Sequence, residues 1–248
     1  MMIDIAERSR VALEPTEKEI RQQDLKSNAK AAGDLLPKGQ SILDIGCGDG
    51  KFTRSLTSLF AQVTGVDVKE KSISKAKAAA AAEGSSAEFM VADGKDLPFD
   101  DASMDAVVIS NSLHHIPEPH KGLAEAARVL KPGGILYVME PIASGHYHEA
   151  TKVVNDETIV RREAYEAVLQ LALQGFSEVS ESMYRQQRIF DSFEQWREHQ
   201  IDRDEKRKDK FDADPQGVRD RFMTRAHKQD GKLVFDQVFR VNMLRKNA

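Results

Sequence analysis

A glycine-rich turn at residues 44–50, DIGCGDG, follows a short apolar run and precedes a segment with helical spacing. Glycines at alternate positions allow a sharp bend and a close approach of the backbone to a ligand, because no Cβ intervenes. The helix that follows offers free N–H groups. The carboxylate of Asp44, two residues before Gly46, favours a cationic ligand over a pyrophosphate. For this motif alone, a turn without a ligand is the alternative.

Two further aspartates follow later apolar runs. Asp67 ends the second run, 21 residues after Gly46, where a carboxylate can accept hydrogen bonds from both ribose hydroxyls of a nucleoside. Asp93, followed by Gly94, ends the third run, where it can accept from an adenine amino group. Each aspartate could instead cap a helix or a turn. Three acids at the ends of successive strands are less readily explained as independent caps, so the set predicts a nucleoside site.

The spacing of the glycines separates two kinds of nucleoside ligand. A nicotinamide-binding loop usually has its third glycine five residues after the first, but here that position is Lys51 and the third glycine is Gly50. S-adenosylmethionine carries a sulfonium and an ammonium group, and both positive charges suit Asp44. The residues therefore favour S-adenosylmethionine, and a nicotinamide dehydrogenase is the disfavoured alternative.

The elements that must position these residues alternate between strand and helix patterns. Strands are predicted at residues 41–45, 62–67, 87–92, 104–110, 135–139, 183–190 and 233–241. Helices are predicted at residues 51–60, 69–82, 119–130, 148–173, 193–200 and 217–228, with a turn at 131–134. This order predicts an α/β fold, a doubly wound, Rossmann-like, seven-stranded and mostly parallel sheet with helices on both faces and a helical cap.

Residues 1–248 are predicted to form one domain. An N-terminal helical segment covers residues 1–40, a cofactor-binding core covers 41–141, and cap helices with C-terminal strands cover 142–248. In the first segment Thr16 and Glu19 have the spacing of a capping box.

Composition excludes several classes of protein. A net charge of −4 with 31% charged residues is typical of an ordinary folded protein. It does not provide the excess of positive charge that is typical of proteins that bind nucleic acid. Residues 181–248 are slightly basic, which could attract an anionic substrate or could be a solvated helical surface. Cys47 is the single cysteine, which excludes an internal disulfide and a multi-cysteine metal site. The charged N-terminus and the lack of a long apolar stretch predict no membrane segment and a cytoplasmic location.

Four motifs occur in a characteristic order: ILDIGCGDG, VTGVD, VADGKDLPFDDASMDAVVISNSLHHI and AARVLKPGGILYVMEP. They resemble the ordered motifs of class I S-adenosylmethionine-dependent methyltransferases, in particular the small-molecule branch with its type 11 and ubiquinone and menaquinone methyltransferases. The resemblance covers about residues 20–141, whereas the segment after Pro141 matches no particular substrate class. It implies methyl transfer from S-adenosylmethionine to a small-molecule acceptor, with S-adenosylhomocysteine as product.

The resemblance also implies roles for individual residues. The amino-acid end of the cofactor would be lined by Asp44, Gly46, Cys47 and Gly48, and the ribose and adenine would be held and flanked by Asp67 and Val68. Asp93 and Gly94 would meet the adenine, and Asn111 would lie beneath the methionine moiety.

Candidate catalytic residues lie beyond the fourth and fifth strands. Methyl transfer is an in-line displacement at the sulfonium methyl, so positioning and exclusion of water are the main tasks. An oxygen or nitrogen acceptor also needs a base, for which His115 and His146 are candidates. His115, His146, Tyr147 and Arg161 are the candidate substrate contacts, and Arg161 could grip a carboxylate or phosphate. The alternatives are a pocket wall or a surface loop for the histidines and Tyr147, and a surface ion pair for Arg161.

Other functions stay open at this point. Histidines 114, 115, 146 and 148 could bind a metal, but no carboxylate of fixed geometry accompanies them in sequence, so no metal is predicted. Methylation of oxygen or nitrogen is favoured over carbon. The alternatives are an RNA or protein methyltransferase, although residues 111–114 read NSLH and not the asparagine-proline-proline type, and a non-catalytic cofactor-binding scaffold. Nucleic acid and membrane partners are not expected, and a homodimer is left open.

Overall fold

The structure, a computed structural model, describes residues 38–248 together with the backbone of 21–24 and residues 32 and 36. Most of the predicted N-terminal helix, including Thr16 and Glu19, lies outside these residues. Strand β1 (Arg21–Asp24) pairs in parallel with the strand at residues 176–190, so the helix prediction is wrong for these four residues. Pairing with a sheet edge depends on a distant segment and overrides local helical spacing.

Five parallel strands form the centre of the sheet, as the alternating pattern predicted. They are β2 (Gly39–Ile45), β3 (Phe60–Asp67), β4 (Glu88–Val91), β5 (Met104–Ser110) and β6 (Leu130–Pro141). In space they are ordered β4-β3-β2-β5-β6, so the chain reverses direction across the sheet between β2 and β5. Such a switch point places ligands beyond the carboxyl ends of the strands.

The remaining strands extend the sheet on the β6 side. They are β7 (Phe176–Phe190), β8 (His227–Gln229) and β9 (Lys232–Lys246). β9 runs antiparallel to β6, β7 runs antiparallel to β9, and β8 pairs with β9. The predicted seven-stranded, doubly wound α/β fold is confirmed, with the short strands β1 and β8 added to it.

Eight helices occur in the described part of the chain. They are α1 (Lys51–Ser55), α2 (Glu70–Glu83), α3 (Pro119–Val129), α4 (His146–Thr151), α5 (Thr158–Ala172), α6 (Phe193–Arg203), α7 (Arg207–Ala213) and α8 (Pro215–Arg225). The sequence did not predict α7.

Four predicted elements need correction. The helix predicted at 148–173 is two helices, α4 and α5, and in the segment between them Asp156 Oδ1 accepts from the backbone N–H of Thr158 at 3.0 Å. The helix predicted at 51–60 ends at Ser55 and continues as a 3-10 turn. The turn at 131–134 is an irregularity inside β6, and residues 227–228, predicted as helix, belong to β8.

Apolar side chains of the central strands alternate between two cores, one on each face of the sheet. Ile42 and Val108 belong to one core, whereas Leu43 and Val107 belong to the other. Helices α3 and α5 cover the second face through buried residues such as Leu123 and Val168. Both faces of the parallel strands are therefore buried, which explains their continuous apolar runs.

The cap has an aromatic core of its own. Helices α6 to α8 enclose Trp196, Phe211 and Phe222, all of which are fully buried, and these pack with Phe235 of β9. Within the described residues, no helix combines the length and apolar character that a membrane crossing requires.

Candidate functional site

The glycine-rich turn is a left-handed bend between β2 and α1. Gly46, Gly48 and Gly50 have φ of +75°, +57° and +74°. A Cβ built on Gly46 would lie 2.4 Å from Cβ of Ser112, whereas a Cβ on Gly48 meets nothing within 4 Å. The bend thus needs glycine at position 46 for space as well as for conformation, and it leaves the surface over Gly48 open.

Asp44 lies beneath this bend and is buried. Its Oδ2 accepts a hydrogen bond of 2.6 Å from the Thr53 hydroxyl at the start of α1. Burial raises the pKa of Asp44 to about 7, against the lowering effect of Thr53 and with the charge of Asp67 raising it further. A cation bound above the bend would favour the ionised carboxylate.

Asp67 connects the bend to the neighbouring strand. Its Oδ2 accepts from the backbone N–H of Gly48 at 3.0 Å, and its Oδ1 accepts from that of Lys69 at 2.8 Å. Asp67 therefore caps backbone N–H groups of two loops, although it is not the N-cap of α2, a position that Lys69 occupies. The side chain is only half-buried, so the carboxylate can also meet a ligand.

Asp93 lies beside Asp67, because the N–H of Ala92 donates to the Asp67 carbonyl at 3.2 Å. Its carboxylate is exposed and accepts from the N–H of Lys95 at 2.9 Å. The structure thus brings the three predicted acids to one edge of the sheet. A Cβ on Gly94 would lie 2.9 Å from Ile45 Cγ2, so this glycine is also required by packing within the protein.

Val68, directly after Asp67, is a large apolar side chain that is 67% exposed. An apolar surface beside a carboxylate at a strand end suits a flat aromatic ring such as adenine. Cys47, in contrast, is buried, and burial together with the charges of Asp44 and Asp67 raises the pKa of its thiol, which stays protonated.

Asn111 turns the chain at the end of β5. Its φ is +57°, and its backbone N–H donates to the Met139 carbonyl at 2.8 Å. The chain then forms a 3-10 turn, Leu113–His115, next to the glycine bend. The Ser112 hydroxyl joins the two loops by donating to the Ile45 carbonyl at 2.7 Å.

Glu140, at the end of β6, fixes this second loop and was given no role from sequence. Its Oε1 accepts from the backbone N–H groups of Ser112 at 3.0 Å and Leu113 at 2.7 Å, and its Oε2 contacts His114 Nδ1. The position of an acid at a strand end, as for the aspartates, was the signal that could have indicated it.

His115 projects from the loop that Glu140 holds. The residue is exposed, and its ring lies beside that of His114 with ring centroids 4.0 Å apart. Desolvation by the protein and the nearby His114 lower the pKa of His115 to about 4. The imidazole is therefore neutral at physiological pH and can accept a hydrogen bond or a proton.

Arg161 is held by an internal carboxylate. Its Nη2 forms an ion pair with Glu157, which also lies 3.8 Å from His114 Nε2. Burial opposes ionisation of Glu157, but the charges of Arg161 and His114 lower its pKa to about 2. This favours the ion-pair alternative for Arg161, and a contact with substrate stays a prediction.

The same region brings together His114, His115 and Glu157, whose ligand atoms lie within 4.8 Å of one another. Two imidazoles and a carboxylate are a donor set that binds transition metals. The guanidinium of Arg161 already neutralises Glu157, which opposes a cation here. The absence of a metal stays a prediction.

His146 and Tyr147 lie at the start of α4. His146 Nδ1 is 2.8 Å from His227 Nε2, so this histidine pairs with β8. The Tyr147 hydroxyl accepts from Gln200 Nε2 at 3.2 Å, and its ring stacks on Phe190 with centroids 5.9 Å apart. Tyr147 thus belongs to the edge of the cap core, and the roles predicted for both residues in substrate binding stay predictions.

Residues 43–138 match the model of a methyltransferase domain family. A demethylmenaquinone methyltransferase from Clavibacter sepedonicus is 42% identical over 102 residues, which are 41% of each chain. A 27-O-demethylrifamycin SV methyltransferase from Amycolatopsis mediterranei is 38% identical over 48% of this chain and 46% of that one. The chain thus spans less than half the length of the curated relatives it matches, and the predicted resemblance to class I methyltransferases is confirmed for this segment.

Solved structures share the fold over most of the chain. The YcgJ protein from Bacillus subtilis has a TM-score of 0.61 at 19% identity, covering 89% of this chain and 96% of that one. The 4+2 cyclase SpnF has a TM-score of 0.58 at 23% identity, covering 89% of this chain and 80% of that one. At these identities the likeness establishes the fold alone, so the reaction has to be inferred from the residues of the site.

Proposed function

We propose that the chain binds S-adenosylmethionine at the edge formed by β2, β3 and β5 and transfers its methyl group to a small-molecule acceptor. One observation carries the proposal: the open bend over Gly48 lies between the carboxylates of Asp44 and Asp67, beside the turn that carries His115. The name of the 27-O-demethylrifamycin SV methyltransferase specifies an oxygen acceptor, and this supports oxygen as the first choice for this chain, with nitrogen as the second choice from the sequence.

Each part of the edge has a task in this proposal. Asp67 would hold the ribose and Val68 and Asp93 would flank the adenine, while Gly46, Gly48 and Asn111 leave space for the methionine moiety. When bound, the cofactor supplies an activated methyl group, so the protein has to align the acceptor with it and exclude water. Glu140 would position the turn at residues 113–115 for this purpose.

A turnover experiment tests the proposal. The full chain is mixed with S-adenosylmethionine and a panel of phenolic and amine acceptors, and S-adenosylhomocysteine is measured over time. Acceptor-dependent formation of S-adenosylhomocysteine is expected. Tight cofactor binding without turnover on any acceptor would favour the non-catalytic scaffold, and turnover on RNA or protein alone would favour the macromolecular alternative.

The affinity for S-adenosylmethionine is expected to rise as the pH passes upward through about 7 and then to level off. Asp44, with a pKa of about 7 in the free protein, must lose its proton to face a cationic ligand, so protonation competes with binding below that pH. Asp44→Asn should weaken binding and remove this pH dependence. Calorimetry between pH 5.5 and 8.5 gives the Kd values, and a pH-independent Kd in the wild-type protein would contradict this role of Asp44.

His115 is expected to act on the acceptor as a neutral hydrogen-bond acceptor or base. Because its pKa is about 4, the acidic limb of kcat/KM for the acceptor, measured with saturating S-adenosylmethionine so that Asp44 is already ionised, should lie near pH 4 and not near the ordinary value of 6.5. His115→Ala should remove that limb and lower kcat by about 100-fold, at the lower end of the usual contribution of a general base. His120→Ala, at an exposed histidine of α3, is the matched control and should change neither the acidic limb nor kcat. An unchanged acidic limb in His115→Ala would assign the base to another residue.

A further inference from the structure

Five arginines of the cap have no carboxylate partner within residues 38–248. Two of them, Arg221 and Arg225 on α8, are exposed at the surface, and the other three are Arg188 on β7, Arg203 at the end of α6 and Arg207 at the start of α7. Across residues 38–248, none of the three takes part in an ion pair, whereas Arg197 on α6 pairs with Asp212 at 3.2 Å and Arg219 on α8 pairs with Glu194. The same cap thus contains arginines with a carboxylate partner and arginines without one.

Two of these arginines converge on Tyr147. The guanidinium carbon of Arg188 lies 5.9 Å from the centroid of the Tyr147 ring. Arg207 Nη1 donates to the Gln200 side chain, which in turn donates to the Tyr147 hydroxyl at 3.2 Å. Arg207 Nε is buried and lacks a hydrogen-bond partner in the structure. Both arginines therefore surround the residue that the sequence had predicted as a substrate contact.

The charge of the third arginine, Arg203, acts both on Arg188 in the cap and on His115 in the proposed acceptor site. Desolvation and His114 lower the pKa of His115, and the charge of Arg203 lowers it further. The protein around Arg188 lowers the pKa of that guanidinium, and Arg203 and Arg161 add to the effect. Arg203 also lies one helical turn after Gln200 on α6, so it shares a face of that helix with the residue that contacts both Arg207 and Tyr147.

The acids nearby do not neutralise this charge. Glu157 acts on Arg207 but is already paired with Arg161. Asp202 and Asp204 are exposed, and Asp204 accepts from the backbone N–H of Lys206 at 3.1 Å. A carboxylate or phosphate ligand would supply the negative charge that these guanidinium groups lack. Arg188 and Arg203 are accessible to solvent, so a ligand can reach them.

We propose that Arg188, Arg203 and Arg207 bind an anionic group, a carboxylate or a phosphate, of the methyl acceptor. The inference rests on the proposed function and narrows it to acidic small molecules. A guanidinium offers two parallel N–H groups that match either anion, and several of them provide strong selection against a neutral acceptor. Tyr147 and Phe239, each within 6 Å of the Arg188 guanidinium, hold this side chain in place.

The experiment measures binding of matched probes to the full chain saturated with S-adenosylhomocysteine. The probes are 4-hydroxybenzoate, phenyl phosphate and the neutral 4-hydroxybenzamide, and Kd is obtained by calorimetry. Saturable binding of at least one anion is expected, at least tenfold tighter than that of the amide. Arg188→Gln and Arg207→Gln should each weaken anion binding by about tenfold or more, and Arg188→Lys should keep part of it.

The control variant is Arg197→Gln, which removes a paired arginine from the same cap and should leave anion binding unchanged. Thermal unfolding of every variant verifies that the fold is retained. Equal affinity for the amide and the anions, no anion binding, or equal losses in Arg197→Gln and Arg188→Gln would overturn the proposal. Displacement of 4-hydroxybenzoate by tRNA, with a steep dependence on salt, would also overturn it in favour of a nucleic-acid partner. Failure of S-adenosylhomocysteine to bind would instead contradict the proposed function itself.

Discussion

Gly46→Ala is expected to abolish binding of S-adenosylmethionine and to destabilise the protein. The new Cβ would lie 2.4 Å from Cβ of Ser112, and the φ of +75° is unfavourable for any residue with a side chain. The left-handed conformation alone costs about 1–2 kcal/mol. The clash adds to this because Ser112 cannot move without losing its 2.7 Å hydrogen bond to the Ile45 carbonyl, which joins the two loops of the site.

Gly48→Ala is the matched control for this variant. Gly48 has a φ of +57° and therefore similar conformational strain, but its Cβ would point into open space. In thermal unfolding, the stability of Gly48→Ala should fall only by the conformational strain of the left-handed φ. Its effect on cofactor affinity reports how closely a ligand approaches the open side of the bend. Wild-type cofactor affinity in Gly46→Ala would show that the bend is not part of the binding site.

Asp67→Ala is expected to weaken S-adenosylmethionine binding by about a hundred-fold or more. Hydrogen bonds to a charged acceptor contribute about 1.5–3 kcal/mol each, and the proposal assigns the ribose hydroxyls to this carboxylate. The variant also loses the bonds from the N–H groups of Gly48 and Lys69, so the free energy of unfolding should fall by about 0.5–2 kcal/mol, as for a lost helix cap.

Two further variants separate ligand binding from capping by Asp67. Asp67→Asn keeps one acceptor oxygen and the shape of the side chain but loses the charge, so it should lie between the wild-type protein and Asp67→Ala in affinity. Asp93→Ala removes an exposed carboxylate that, among the described residues, bonds only to the nearby N–H of Lys95. It should have a smaller effect than Asp67→Ala on cofactor affinity and on the free energy of unfolding. A loss of stability in Asp67→Ala with unchanged cofactor affinity would assign this residue to capping alone.

The parts of the fold that local sequence determines were predicted well. Strand β5 has the predicted bounds, Met104–Ser110, because both faces of a central parallel strand are buried and its apolar run is continuous. The aspartates at the ends of β2, β3 and β4 meet at one edge because the strands are parallel. The bend at Gly46 was predictable because glycine adopts a left-handed conformation at the lowest cost of any residue.

The parts that apolar spacing does not encode were not predicted. Residues 152–157 interrupt the long helix, where Asp156 bonds to Thr158, although apolar spacing continues across them. The role of Glu140 arises from contacts 26 to 28 residues away along the chain. For Arg161 the sequence left a ligand and an ion pair open, and the structure pairs it with Glu157, four residues earlier. The unpaired arginines of the cap could not be told from surface residues in the sequence.

Some expectations stay predictions. These are the single-domain organisation, the cytoplasmic location, a homodimer and the exclusion of nucleic acid.

Calorimetric titration of the wild-type chain with S-adenosylmethionine, S-adenosylhomocysteine and NADH tests the cofactor site most directly. Saturable binding of both adenosyl ligands at one site per chain, without binding of NADH, is expected from the three strand-end carboxylates and the glycine bend. Binding of neither adenosyl ligand, or preferential binding of NADH, would contradict the site as described.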